Sequence, residues 1–155
     1  MSFQIILVYV LLSYTSAQEL NKEFKVETYF KANWFEASIF CRDHGMQLAT
    51  VNTDAEHLAV IQQFPKVNED LQEYENYWIS GTDLAEDGNY KWFSTGKMML
   101  FTKWDYMQPP ELIRDPYQTE PIVDNAEDCV QILGYSKRWA STNCSSLYYF
   151  VCETF

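Results

Sequence analysis

Positive charge is what this 155-residue chain has least of: 11 Lys and Arg stand against 22 Asp and Glu, for a formal charge of −11 at pH 7. At that balance a nucleic-acid backbone or an anionic lipid surface is repelled, and both drop out as partners. The ligand is neutral, cationic or bridged by a cation; the acidity taken alone says only that the chain stays soluble. Histidine is nearly absent, at two residues, His44 and His57. There is no Gly-x-Ser-x-Gly turn and no phosphate-binding loop, so a hydrolase triad or a nucleotide site has no foundation. Carboxylate pairs are plentiful, but any acidic chain offers them, and a glycosidase pair is not distinguished from chance. The chain reads as a binding protein, not an enzyme. Long apolar runs are missing too: the run Ile5–Leu12 falls well short of the roughly 20 residues a membrane helix needs, and no later segment comes closer.

That short run precedes Ser13-Tyr-Thr-Ser-Ala17, in which Thr15 and Ala17 form a small-x-small cleavage pattern. Although no Lys or Arg precedes the run, residues 1–17 read as a signal peptide, with the mature chain starting at Gln18 and destined for secretion to the extracellular space. Every acidic residue lies beyond this point. Residues 18–155 are long enough for one domain with its own core, and 47% hydrophobic residues with 17% aromatics exclude disorder for most of it. The four cysteines, Cys41, Cys129, Cys144 and Cys152, are even in number and bound for an oxidising compartment, so two structural disulfides are the default. Zinc would want closer pairs. Arithmetic alone leaves three pairings open.

Local patterns then divide the chain. Phe24–Tyr29 alternates as a strand, and Asn33-Trp-Phe-Glu36 opens a helix with an N-cap and a Glu at its third position. Trp34, Ala37 and Cys41 share one face of that helix, and Gly45 supplies its left-handed stop. A second capping box, Thr53-Asp-Ala-Glu56, starts a helix carrying Leu58, Ile61 and Gln62 and ending before Pro65. Lys66–Glu75 reads as a solvated surface insertion. Strands are predicted at Tyr77–Ile79, Tyr90–Phe93, Cys129–Leu133 and Tyr148–Cys152, which makes the domain α+β. Between Trp104 and Cys129 runs a long segment holding four of the five prolines, a length that in a compact domain is usually functional or disordered.

Trp34-Phe-Glu-Ala37, Cys41, Leu48-Ala-Thr, Trp78-Ile-Ser-Gly81, Tyr90-Lys-Trp92, Trp104, Asn125-Ala-Glu-Asp-Cys129-Val, Trp139, Cys144 and Phe150-Val-Cys152-Glu together resemble the C-type lectin-like domain. The resemblance spans essentially all of residues 18–155, with the motifs in the family's order. It implies two helices with short antiparallel sheets, a long irregular binding loop, and nested disulfides Cys41–Cys152 and Cys129–Cys144. It also implies that Trp78, Trp92 and Trp104 pack the core, leaving Tyr106 as the stacking candidate for a sugar.

In lectins of this family a calcium ion bridges protein and sugar, gathering oxygens from three places. Here those places read Gln108-Pro109-Pro110, Glu127 ahead of Asp128-Cys129, and Trp139-Ala140-Ser141. Pro110 and Ala140 offer no side-chain oxygen and Ser141 only a hydroxyl, so Gln108 and Glu127 are the surviving ligands and the sugar-bridging calcium site is expected to be absent or weak. The register Glu120-Pro121-Ile122 is no better, since Ile122 cannot ligate. If sugar binding persists, the Gln108-Pro109 start is similar to the galactose-type triplet more than the mannose-type one. A second calcium position resembles the family's in residue type, at Asp83, Asp87, Glu111 and Asp128; the alternative is that Asp83 and Asp87 merely build the turn before Gly88. The function implied is carbohydrate binding through Gln108, Glu127, Tyr106 and Ser141. The alternative is calcium-independent binding of a protein or other extracellular ligand. Asn143-Cys-Ser145 matches a glycosylation sequon, with a middle residue expected in a disulfide.

Overall fold

The computed structural model describes residues 22–66, 73–109 and 128–155. The signal-peptide reading, the middle of the Lys66–Glu75 insertion, and Pro110, Glu111, Glu120, Pro121, Ile122 and Glu127 lie outside the described residues. The element order is β1 (Phe24–Ala32), α1 (Trp34–Asp43), β2 (Gln47–Leu48), α2 (Asp54–Ile61), β3 (Tyr77–Thr82), β4 (Lys91–Trp92), β5 (Cys129–Ile132), β6 (Trp139–Thr142) and β7 (Tyr148–Glu153).

Each helix starts where its cap dictates. The Asn33 side chain accepts from the Glu36 amide at 2.9 Å and the Glu36 carboxylate accepts from the Asn33 amide at 3.3 Å, a reciprocal box that satisfies two orphan donors. Trp34, Ala37, Ser38 and Cys41 face inward. Gly45, at φ +70°, takes the left-handed turn that ends the helix. At α2, Thr53 caps the Glu56 amide, but the Glu56 carboxylate accepts from Asn52, one residue earlier than a capping box requires. The inward face of α2 is His57 and Val60, while Leu58 is 51% exposed and Gln62 caps the C-terminus.

The described strands form one sheet in the order β1-β7-β3-β5-β6, with β2 added at β7 and β4 at β3. The pairs are antiparallel as expected except β3 with β7, which run parallel, with Tyr77 opposite Tyr149 and Trp78 opposite Phe150, so the sheet is mixed. No hairpin joins these two strands; the chain leaves β3, builds β4 to β6, and returns, and such a long connection permits parallel pairing. Two further departures are the pair β2 and β6, which the sequence reading passes over, and the shortening of Tyr90–Phe93 to Lys91–Trp92.

The sheet separates two apolar clusters. One gathers Trp34, Ala37, Cys41, Leu48, Trp78 and Phe150 under α1. The other gathers Val60, Ile79, Trp92, Val130, Ile132 and Trp139 under α2 and the loops. Trp34, Trp78, Trp92 and Trp139 are buried, and three of them find acceptors: Trp34 Nε1 donates to Ile79 O at 2.9 Å, Trp78 Nε1 to Ala32 O at 3.0 Å, and Trp139 Nε1 to His57 Nδ1 at 3.3 Å. Trp104 is half-buried against Tyr90 and Trp139. Disulfides join Cys41 to Cys152 and Cys129 to Cys144, at sequence separations of 111 and 15. Loop-closure entropy alone makes these bridges worth about 5 and about 3 kcal/mol. Glu153, 1% exposed, is held by Lys22 Nζ at 2.8 Å and by Gln47 and Thr50, tying the start of the described chain to its end.

Candidate functional site

The edge of the sheet at β6 carries the segment Trp104–Pro109. Trp104 bridges Trp139 in parallel; the Trp139 amide donates to Lys103 O and the Asp105 amide donates to Trp139 O, each at 2.8 Å. The segment then turns sharply. Met107 adopts φ 56°, the Gln108 amide donates to Asp105 O at 3.1 Å, and the Gln108–Pro109 peptide is cis. The result presents Tyr106, 88% exposed, and Met107 to solvent and turns Gln108 back toward the sheet.

That turn decides what Gln108 can do. Its Oε1 accepts from the Ser141 amide at 3.0 Å and from the Ser141 hydroxyl at 3.3 Å. Two residues singled out from the sequence, 33 positions apart, are therefore brought together, and they bond to each other. Ser141 is 3% exposed, so it contributes from beneath the surface. On β6 it faces Val130, and its neighbour Ala140 brings no oxygen. The Cys129–Cys144 disulfide ties β5 to the segment following β6 just beyond this pair.

A second clamp, which the sequence reading missed, holds the same segment. Asp105 Oδ2 accepts from the Tyr135 hydroxyl at 2.8 Å and from the Ser136 hydroxyl at 2.9 Å, while Oδ1 accepts from the Tyr106 amide at 2.9 Å. Arg138 Nε donates to Trp104 O at 2.8 Å. Desolvation pushes the Asp105 carboxyl upward, but the bonds from Tyr135, Tyr106 and Ser136 and the Arg138 charge together hold it below the usual carboxylate range. The same bond raises the Tyr135 phenol. An acid directly after Trp104 and a polar Gly-Tyr-Ser-Lys-Arg turn were the available signals; their pairing becomes visible only when the chain folds.

The possible structural calcium position fares as follows. Asp83 is 3% exposed; its Oδ2 accepts from the Gly88 amide at 2.8 Å and its carbonyl from the Glu86 amide at 2.8 Å. This is the turn-building arrangement. Asp87 is exposed on that turn, and Asp128 adjoins Asp83 through the Asp83 amide, which donates to Asp128 O at 3.2 Å. Among the described residues no group of three or more His, Cys, Asp or Glu could hold a metal ion. At the sugar-bridging position the described side chains offer a neutral amide already hydrogen-bonded and a buried hydroxyl, while Ala140 offers no oxygen, a set that does not fit a hard dication preferring carboxylates.

Comparison with known proteins bears on the whole arrangement. A family model described as "Lectin C-type domain" matches residues 30–154. The chain is 35% identical over 126 residues to C-type lectin mosGCTL-7 of Culex quinquefasciatus, covering 80% of this chain and 69% of that one. Among solved structures it resembles the carbohydrate-recognition domain of the mouse scavenger receptor C-type lectin, with a TM-score of 0.68 at 22% identity, covering 86% of this chain and 90% of that one. It also resembles a calcium-independent type II antifreeze protein, with a TM-score of 0.63 at 18% identity over 86% of each chain. At these identities the structural likenesses speak to fold alone.

Proposed function

The chain belongs to the C-type lectin domain family, and from that membership we propose that it is a secreted recognition module that binds extracellular glycans, galactose-type before mannose-type, without a calcium ion bridging through Gln108. The observation that carries this reading is the Gln108–Ser141 pair. In the family's calcium chemistry the Gln108 oxygen would be a metal ligand and the Ser141 position would supply another. Here the first oxygen accepts two hydrogen bonds from the second residue. A direct protein bond stands where an ion would join the loop to β6.

Calcium does two things at such a site: it fixes the loop and it accepts sugar hydroxyls. The first task passes to Gln108 and Asp105. The second falls to Tyr106, whose exposed ring offers an apolar face to a sugar, with Glu127, outside the described residues, proposed from the sequence as the carboxylate for its hydroxyls. The run Ile5–Leu12 ahead of Thr15 and Ala17, read as a signal peptide with a mature domain over residues 18–155, and two disulfides that suit an oxidising compartment support secretion. Among the described residues no helix is long and apolar enough to cross a membrane. Binding without catalysis is the reading that membership of a lectin domain family supports.

A second reading, binding of a protein or other extracellular ligand, is favoured by Tyr106 and Met107 standing exposed together. A structural calcium at Asp83, Asp87, Glu111 and Asp128 is the weaker proposal, because Asp83 is committed to its turn. Passing the full mature chain over galactose and mannose resins, first in calcium and then in chelator, separates these. Galactose retention that survives the chelator is expected. Retention abolished by chelator contradicts the calcium-free mechanism, and flow-through on both resins in both buffers favours the protein-ligand reading.

A further inference from the structure

Asp105 holds two exposed tyrosines at once. Its Oδ1 takes the Tyr106 amide and its Oδ2 takes the Tyr135 hydroxyl, so the recognition segment and the turn between β5 and β6 are joined at a single carboxylate. Tyr106 is 88% and Tyr135 60% exposed. A scattered exposed aromatic needs no explanation. These two positions, however, are linked through one acid, Tyr106 by its backbone amide and Tyr135 by its hydroxyl. Fixing the backbone under one ring and the tip of the other lowers the entropy a ligand would otherwise have to remove. The surface continues beyond them. Tyr74 meets the Tyr135 ring edge-on at 6.4 Å, and both rings line a cleft of about 400 Å³ together with Ile61, Phe64 and Lys137. Gly134 also lines it and packs tightly on the neighbouring chain: a Cβ there would fall 2.0 Å from Glu75 O, and the Gly134 amide donates to Asn76 Oδ1 at 3.1 Å.

We infer that the recognition surface continues from Tyr106 across Asp105 onto Tyr135 and into this cleft, with Asp105 as the positioning residue, and that the combined surface takes an oligosaccharide. The inference rests on the glycan reading above. The chemistry selects the ligand class. Tyrosine rings give flat apolar faces with polar tips, suited to the alternating faces and hydroxyls of linked sugars. The cleft volume falls in the range for small ligands, whereas a protein partner needs roughly 800 Å² of fitted surface on each side.

The test uses the full mature chain, isotopically labelled, in chelator, with lactose and the galactose-terminated tetrasaccharide lacto-N-neotetraose as probes. The tetrasaccharide is expected to shift the amides of Tyr106 and of Tyr135 and Ser136 together. Tyr135→Ala should weaken it about tenfold, equivalent to about 1.4 kcal/mol, and weaken lactose less, because Ser136 still bonds to Asp105. Shifts confined to residues 104–109 overturn the extension while leaving the glycan reading intact; no shift with either sugar overturns both. Without any ligand, Asp105→Asn and Tyr135→Phe should each speed hydrogen exchange at the Tyr106 and Gln108 amides about fivefold and leave the amides of β3 and β5 unchanged. Unchanged exchange at Tyr106, or equal acceleration throughout the sheet, removes the positioning role.

Discussion

Cys41 and Gln108 each join distant parts of the chain, by bonds of different kinds. Cys41 locks α1 to β7 covalently, inside a cluster where Trp34, Trp78 and Phe150 are wholly buried. Gln108 joins the Trp104–Pro109 segment to β6 by two hydrogen bonds at a half-exposed edge. The first region keeps every feature that defines the fold. The second turns on the cis peptide before Pro109 and sets Gln108 against Ser141, which in the reading proposed above takes the place of a bridging ion. Shape and chemistry separate because a buried aromatic is constrained by all its neighbours, whereas a loop ligand is constrained only by what it binds.

The contrast can be broken most forcefully on the scaffold side. Replacing Cys41 and Cys152 together with Ala should lower stability by about 5 kcal/mol, measured by urea unfolding, and Trp78→Ala should cost about 3–5 kcal/mol. Replacing Cys129 and Cys144 should cost less, about 3 kcal/mol, with hydrogen exchange rising at β5 and β6 first and at β1 and β7 last. On the site side, Gln108→Ala should cost about 1 kcal/mol, with changes confined to residues 104–109 and 139–142 in an amide spectrum. A comparable loss for Gln108→Ala and Trp78→Ala would erase the distinction between the two regions.

A smaller effect is expected from pH. Burial is the chief cause of a lowered His57 pKa, and Nδ1 must be unprotonated to accept from Trp139. A histidine whose folded pKa lies below its unfolded value binds protons more readily when unfolded. Its stabilisation is complete above about pH 6.5 and is lost as the pH falls from there toward the lower folded pKa. Unfolding midpoints measured from pH 7.5 to 5 should fall less steeply in His57→Gln than in the parent chain; parallel curves would show that His57 carries no such linkage.

Much of the scaffold was legible from residues alone, for identifiable reasons. Asn33 and Glu36 cap each other through local geometry, and Gly45 stops the helix by its own backbone freedom, so neither needs the rest of the chain. Other features depend on distant partners. The two residues of β2 and the Trp-Ala-Ser-Thr run of β6 show no alternation of their own and become strands only by pairing with β7 and β5. The inner face of α2 is His57 with Val60, because Trp139, from the far end of the chain, seeks the His57 nitrogen. At the candidate site, Gln108 and Ser141 were singled out from family spacing and Tyr106 from its place near the loop, but the bond between Gln108 and Ser141 shows only in the fold. Asp105 was passed over because its partners lie 30 and 31 residues away in a turn.

The Gln108–Ser141 bond can be tested directly by adding calcium to the labelled mature chain while following the Gln108 side-chain amide and the Ser141 backbone amide. Both signals are expected to stay in place through the millimolar range, where extracellular calcium modules with dissociation constants of about 0.1–1 mM are filled. A saturating shift of the two signals in concert below about 1 mM would contradict the calcium-free arrangement, since it would mean that the ion can take the oxygen from Ser141.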